Sequence, residues 1–323
     1  MKPLLLPLLL ALSTGAQPRG GAGVLLLAHG GDPTWNETVS KLAAAVRGTR
    51  DVEVAFGMAD GDAMQAAVSK LEKAGDRRIV AVPLFVSSHS NLYRHTAYLL
   101  GVAAEPSKEF LDAMGAMAHA GHVHGHHMDM DAMNRRVKTK LPVSLAPALD
   151  ADPLVGRILA ERAKALSKDP SKEALVLVAH GPIEEDDDKA WLADLGKLAE
   201  AVRSQLPFAE TAVATLRDDA PPPVREAAVK KLRGTVETLS KSYAVLVVPV
   251  VVAPGGIEAK MKKDLDGLEF RWDGRTLAPD ALLADWIESR VKETDDHGDG
   301  GGGSDPGPGQ GVRAPGGHDG RRR

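Results

Sequence analysis

The 323-residue sequence contains no cysteine, which excludes disulfide bonds, thiolate metal sites and cysteine nucleophiles. Any metal ion must therefore be bound by histidine, carboxylate, backbone oxygen or water. Aromatic residues make up only 4% of the chain, against 43% for all hydrophobic residues, so aliphatic side chains must fill the core. The formal net charge of −4 gives no reason to expect nucleic-acid binding, which depends on basic surfaces.

Several catalytic signatures are also missing. No Gly-x-Gly-x-x-Gly follows an apolar run and no Walker loop is present, so neither dinucleotide binding nor a phosphate-binding loop is indicated. No Gly-x-Ser-x-Gly elbow of the α/β-hydrolase type occurs. The chain does contain 11 histidines, and they are unevenly distributed.

Both ends of the chain are predicted to lie outside the folded region. Residues 1–16 combine Lys2 with a short apolar run and small residues, the pattern of a cleaved signal peptide. The run is too short to span a bilayer, so we expect an exported protein without a membrane association after cleavage. Without a working signal the protein would be cytoplasmic. Residues 294–323 are rich in glycine and have no apolar face to bury, which predicts a disordered tail.

Between these ends the chain repeats itself. Residues 24–30 match residues 175–181, and both apolar runs stop at Ala-His-Gly. Residues 79–86 match residues 245–252, and both of these runs contain a proline. Continuous aliphatic runs are typical of strands buried on both faces of a parallel sheet. Helical patterns lie between the runs, so the order of elements alternates between strand and helix in each half.

This alternation predicts an α/β fold of two tandem similar domains, residues 23–166 and 172–293. Each domain is expected to be a parallel sheet flanked by helices, and the two lobes are expected to enclose a cleft. Each half is predicted to close with a strand, a loop and a helix, at residues 143–164 and 276–291. Ligands of such sheets bind beyond the carboxyl ends of the strands.

His29 follows the first apolar run at such a strand end, where an imidazole can bind metal or accept a proton. The alternative is a histidine that only caps the strand. His89 follows the next buried strand and is expected to approach His29, which would make a divalent-metal site. His95 is the alternative second ligand. The second half has His180 but a glycine where His89 would align, which favours one active half and a degenerate partner.

The first half also carries an insertion between about Gly101 and Lys140. Residues 115–131 of this insertion hold five histidines within nine residues, followed by two carboxylates. This density predicts a loop that collects Zn, Ni, Co or Cu rather than a catalytic site, because a glycine-rich loop rarely holds fixed geometry. The alternative is a polar loop with incidental histidines. The predicted metal-binding residues of the loop are His119, His122, His124, His126 and His127.

An acidic run at residues 184–188 precedes a predicted helix from Lys189. Such charges stabilise the N-terminal end of the helix dipole. A funnel that attracts cations to the second site is the alternative. Arg94 and nearby lysines such as Lys260 are either ordinary surface charges or receptors for an anionic ligand.

The strand-end His29, the Val82–Phe85 strand leading to His89, and Pro153-Leu154 before a helix resemble the class II tetrapyrrole chelatases in their two-repeat form. These are lyases of the sirohydrochlorin cobaltochelatase and ferrochelatase type, and the resemblance covers residues 23–292. It implies insertion of Co²⁺ or Fe²⁺ into a sirohydrochlorin-type tetrapyrrole of the cobalamin or siroheme type. His29 and His89 would bind the metal and accept the pyrrole protons.

The resemblance implies no prosthetic group, because the divalent ion (Co²⁺, Fe²⁺ or Ni²⁺) and the tetrapyrrole are substrates. Two features depart from the family pattern. His89 comes early after its strand, with Asn91 near the usual place, and the family normally works in the cytoplasm. The competing hypothesis is an exported, non-catalytic protein that binds or carries metal or tetrapyrrole.

Overall fold

Two four-stranded parallel sheets form the framework of the protein in a computed structural model, which describes residues 21–119 and 130–298. The strands are β1 (Ala22–Ala28), β2 (Val52–Phe56), β3 (Arg78–Pro83), β4 (Val143–Leu145), β5 (Glu173–Ala179), β6 (Glu210–Thr215), β7 (Ala244–Val250) and β8 (Arg271–Trp272). Their orders in the two sheets are β2-β1-β3-β4 and β6-β5-β7-β8. The predicted α/β fold with two similar halves is therefore confirmed.

Helices connect successive strands and cover both sheets. None of the helices within the described ranges is long and apolar enough to cross a membrane. The helices of the first half are α1 (Pro33–Val46), α2 (Gly61–Ala74), α3 (Asn91–Leu99), α4 (Lys108–His119), α5 (Met130–Asn134) and α6 (Pro153–Leu166). Those of the second half are α7 (Glu185–Gln205), α8 (Pro222–Leu239), α9 (Ile257–Asp264) and α10 (Leu282–Gly298).

The aliphatic strands are buried on both faces because each face of a sheet meets a different core. In β1, Val24 packs into a central core and Leu25 into an outer core on the opposite face. In β5, Leu175 packs into the same central core, whereas Val176 packs into the outer core of the second half. Successive strand residues point to opposite faces, so this arrangement needs the uninterrupted apolar runs that the sequence contains.

The last helix of each half packs against the other half. α6 contacts α7 and β7, whereas α10 contacts α1 and β3. Arginines on the two helices bind carboxylates across the same boundary: Arg162 pairs with Asp273 and Arg290 with Asp152. Because the helices are exchanged in this way, both sheets share the central core and the two halves have a fixed relative position.

The C-terminal part of the second half differs from the predicted pattern. Its last strand lies at Arg271–Trp272 rather than within residues 276–291. The chain around Leu277 is instead a loop, whose backbone binds Val251 just beyond β7. α10 continues past the predicted start of the tail at residue 294, and the hydroxyl of Thr294 donates a hydrogen bond to the carbonyl of Val291 within the helix.

Three predicted segments fall wholly or mostly outside the described residues. These are the signal peptide at residues 1–16, residues 120–129 of the histidine-rich insertion, and the tail from residue 299 onward. The signal peptide, the metal-binding loop and the tail therefore stay predictions from the sequence.

Replacement of Arg162 by methionine should destabilise the protein strongly. The guanidinium is 2% exposed and donates to both carboxylate oxygens of Asp273 at 2.9 and 3.1 Å, and also to the carbonyl of Pro249. Arg162→Met leaves this buried carboxylate without its cation, so we expect the free energy of unfolding to fall by about 3–5 kcal/mol in urea denaturation.

Lys189→Met is the matched control, since it removes a fully solvated pair with Asp186 and should leave the urea midpoint unchanged. Equal midpoints for Arg162→Met and the control would show that the buried pair does not fix the two halves.

Candidate active site

His29 lies directly beyond the carboxyl end of β1. Its Nδ1 donates a hydrogen bond of 2.8 Å to the carbonyl oxygen of Gly30. Gly30 has a φ of 78°, a left-handed conformation that glycine adopts without a steric penalty. Because Nδ1 carries the proton in this bond, the Nε2 of the neutral ring presents its lone pair to the surroundings.

His180 repeats this geometry at the end of β5. Its Nδ1 donates to the carbonyl of Gly181 at 2.7 Å, and Gly181 has a φ of 81°. Its Nε2 lies 3.2 Å from the carboxylate of Asp219, which follows β6. The Ala-His-Gly repeat therefore encodes a turn that fixes the orientation of an imidazole.

The two strand-end histidines lie close enough to affect each other's charge. His29 is exposed at the surface, but the surrounding protein removes part of the hydration of its ring and lowers its pKa. The charge of His180 lowers the pKa further, and Asp219 opposes this effect. Burial also disfavours the charged form of His180, but its hydrogen bond and attraction to Asp219 outweigh this and raise its pKa. Partial loss of hydration would raise the pKa of Asp219, whose side chain is 44% exposed, but His180 and His29 both stabilise the carboxylate and lower that pKa. His29, His180 and Asp219 therefore form one electrostatic unit.

Asp218 stands beside this unit and is almost fully buried. Its carboxylate accepts hydrogen bonds from Arg225 at 3.0 Å and Lys260 at 2.5 Å. Burial raises its pKa, but these two cations outweigh that effect and lower it. Ligand-capable atoms of His180, Asp218 and Asp219 lie within 4.8 Å of one another. These three residues could therefore hold a cation.

His89 makes its described contacts with the second half rather than with His29. Its Nε2 lies 3.6 Å from Asp194, and its carbonyl accepts a hydrogen bond of 2.6 Å from the indole of Trp191. The preceding Ser88 is bound to Asp150 through both its backbone and its hydroxyl, which holds the loop in this position. His89 lines a separate cavity of about 420 Å³. Among the described contacts, the expected pair with His29 is not formed.

His95 is enclosed in the outer core of the first half. Its side chain is fully buried, stacks on Phe110 at a centroid distance of 4.6 Å, and hydrogen bonds to the carbonyl of Met133 at 2.7 Å. Burial lowers its pKa. These contacts give it a packing role and leave it no access to His29. His119 ends α4, whereas His122, His124, His126 and His127 lie outside the described residues.

α7 begins at Glu185, four residues before the predicted start at Lys189, so Glu184 is its N-cap and the other four acids of the run form its first turn. Their charges lie at the N-terminal end of the helix dipole, where carboxylates are stabilising. Two members of the run also bind the first half: Asp187 forms a two-point ion pair with Arg94, and Glu184 accepts from Asn91. These acids join the halves as well as stabilising the helix. Arg94 and Lys260, considered above as anion receptors, are both paired with carboxylates.

Trp35 explains why the second half has glycine where His89 would align. The indole packs between Gly31 and Gly255, and a Cβ atom built on either glycine would lie 2.9 Å from it. On the other side, Trp191 contacts the loop of His89. The sequence analysis did not single out these tryptophans or Asp219, which lies four residues beyond the end of β6.

Comparison with known proteins identifies a similar family. The profile of the CbiX family matches residues 23–166, so the first half of the chain is similar to that family. The resemblance to class II chelatases drawn from the motifs is thereby confirmed.

Solved structures show that the likeness in fold extends over both halves. SirB from Bacillus subtilis, solved with Fe³⁺, shares 15% identity, covers 86% of this chain and 98% of its own, and has a TM-score of 0.57. DR2241 from Deinococcus radiodurans, a multi-domain protein with structural similarity to chelatases, shares 15% identity over 84% of this chain and 55% of its own, with a TM-score of 0.50. No curated protein matches the chain in sequence.

In the metal-free protein, His180 should titrate at a higher pH than His29 in an NMR titration of the imidazole signals. Asp219→Asn should lower the midpoint of His180, because the hydrogen bond and attraction to the carboxylate that raise its pKa are lost. Asp186→Asn, which changes an exposed carboxylate, should leave both midpoints in place. An unchanged His180 midpoint in Asp219→Asn would contradict the coupling.

The same coupling fixes the sign of a contribution to stability. Because the folded-state pKa of His180 is raised, the pair stabilises the fold fully below the unfolded-state pKa of about 6.5. This contribution is lost as the pH rises through the folded-state pKa.

Proposed function

We propose that this protein inserts a divalent metal ion, Co²⁺ or Fe²⁺, into a sirohydrochlorin-type tetrapyrrole. The observation that carries the proposal is the orientation of His29. Its Nδ1 donates a hydrogen bond to the carbonyl of Gly30, its Nε2 is left to accept a proton, and its charge is coupled to those of His180 and Asp219. The match of residues 23–166 to the CbiX family and the fold shared with SirB support metal insertion into a tetrapyrrole as the class of reaction.

Metal insertion requires the removal of two pyrrole protons, the loss of water from the ion, and a macrocycle held near it. The lowered pKa of His29 keeps its ring neutral at neutral pH, which a proton acceptor needs. Protonation at Nε2 leaves the Nδ1 hydrogen bond intact, so the ring keeps its orientation. Asp219 is close enough to raise the pKa of His29 and so stabilises the imidazolium that forms.

Two parts of the sequence prediction remain proposals. His89 as a metal ligand is one of them, and its contacts place it with Asp194 rather than with His29. Metal collection by the histidines of residues 119–127 is the other. Such a loop would raise the local concentration of the ion without taking part in the insertion step.

The test is an insertion assay with purified protein, sirohydrochlorin and Co²⁺, followed by the absorbance change of the macrocycle. His29→Ala should lower the rate by about 10²–10⁴-fold, because the proton acceptor is lost. His318→Ala, a histidine near the C-terminus, serves as the matched control and should keep the full rate. Insertion by His29→Ala at the wild-type rate would refute the role of His29.

The five histidines of the insertion favour one competing function, a carrier of metal or tetrapyrrole. A carrier would bind Co²⁺ tightly, lose this binding when residues 119–131 are removed, and show no turnover on any tetrapyrrole. Turnover that survives the deletion supports the chelatase.

Export is the last part of the proposal, and it rests on the signal pattern of residues 1–16. The mass of the protein isolated from its native cell should correspond to a chain that lacks these residues. A mass that includes residues 1–16 would contradict export by this signal.

A further inference from the structure

The two halves use an equivalent aspartate in different ways. Ala28 pairs with Phe56 at the ends of β1 and β2, just as Ala179 pairs with Thr215 at the ends of β5 and β6. Four residues beyond these positions lie Asp60 in the first half and Asp219 in the second, so the two carboxylates occupy corresponding places at the strand ends.

In the first half, the carboxylate caps the helix that follows it. Asp60 is the N-cap of α2 and accepts hydrogen bonds from the backbone N–H groups of Asp62 and Ala63, both at 2.9 Å. In the second half, α8 begins after Pro221, which makes no side-chain cap. Asp219 is therefore not needed as a cap, and its carboxylate is directed at His180.

The contact between His180 and Asp219 brings two electron-pair donors together. Because Nδ1–H donates a hydrogen bond to the carbonyl oxygen of Gly181, the Nε2 of a neutral His180 carries only a lone pair toward the carboxylate 3.2 Å away. Such an arrangement requires a positive charge between the two groups, either a proton or a metal ion. An imidazole whose Nδ1–H is bound by a backbone carbonyl is also the usual form of a metal-ligating histidine.

The neighbouring Asp218 holds this arrangement in place. Its carboxylate is bound by Arg225 from α8 and Lys260 from α9, so two helices fix the loop that carries Asp219. The imidazole is fixed from the other side by the glycine turn after β5. Both ligand groups are therefore positioned before any ion arrives.

We propose that the second half holds the divalent ion, with His180 Nε2 and the Asp219 carboxylate as ligands, while His29 of the first half accepts the pyrrole protons. The role of His29 rests on the proposed function, whereas the binding of the ion does not. One nitrogen and one carboxylate donor, without sulfur, suit borderline ions such as Co²⁺, Ni²⁺, Zn²⁺ and Fe²⁺. Two protein ligands leave positions for water, and water exchanges for the nitrogens of a macrocycle.

The test is a Co²⁺ titration of the full-length chain by calorimetry and by the visible absorption bands of the bound ion. The five loop histidines are first replaced by asparagine, so that they do not compete. In this background, Asp219→Asn should weaken Co²⁺ binding at least tenfold and change the absorption bands. Asp60→Asn is the matched control, because asparagine also caps helices, and it should bind Co²⁺ as the background does.

His180→Gln provides a second variant that removes the other ligand, and it should also weaken binding at least tenfold. His29→Ala should retain Co²⁺ binding. Unchanged affinity in both Asp219→Asn and His180→Gln would overturn the inference. Loss of Co²⁺ in His29→Ala with retention in Asp219→Asn would overturn it as well, since the ion would then belong to the first half.

The insertion assay separates this inference from the proposed function. If Co²⁺ binding depends on Asp219 but the wild-type protein inserts no metal into a tetrapyrrole, the proposed ion site is supported and the proposed chelatase function is refuted. If the wild-type protein inserts Co²⁺ but Asp219→Asn and His180→Gln bind it unchanged, the chelatase function is supported and the ion site is refuted.

Discussion

The exchange of the last helices is the constraint on which the site depends. His29 belongs to one sheet and His180 to the other, so their electrostatic coupling exists only if the sheets have a fixed relative position. α6 and α10 supply this position, because each completes the packing of the opposite half and carries an arginine across the boundary. A pair of independently folded domains joined by a linker would leave the distance between the imidazoles undefined.

The fold and the main strand ends could be predicted from the sequence, because continuous aliphatic runs and the Ala-His-Gly repeat are local signals. The residue that interacts with His29 could not be predicted, because it lies in the other half. Neighbouring strands of one sheet suggested His89, but the packing of the halves turns the loop of His89 toward α7 and brings His180 to His29 instead. The burial of His95 could not be predicted either, since it depends on contacts with Phe110 and Met133 of the insertion.

The duplicated halves show how a small difference in backbone capping changes chemistry. An aspartate after the second strand is present in both, yet one is committed to the amide groups of a helix and the other is left to face an imidazole. The strand register makes Asp60 and Asp219 equivalent in position. Only the start of the following helix distinguishes them, because a proline at the start of α8 replaces the capping carboxylate.

The position of Trp35 couples two sites that belong to different halves. Its indole fills the space beside Gly255 where the second half would need room for a side chain. A side chain at position 255 would require Trp35 to move or to become smaller, whereas a smaller residue at position 35 alone would leave a void in the central core. The effects of substitutions at these two positions should therefore depend on each other, and the halves cannot be made alike here by one exchange.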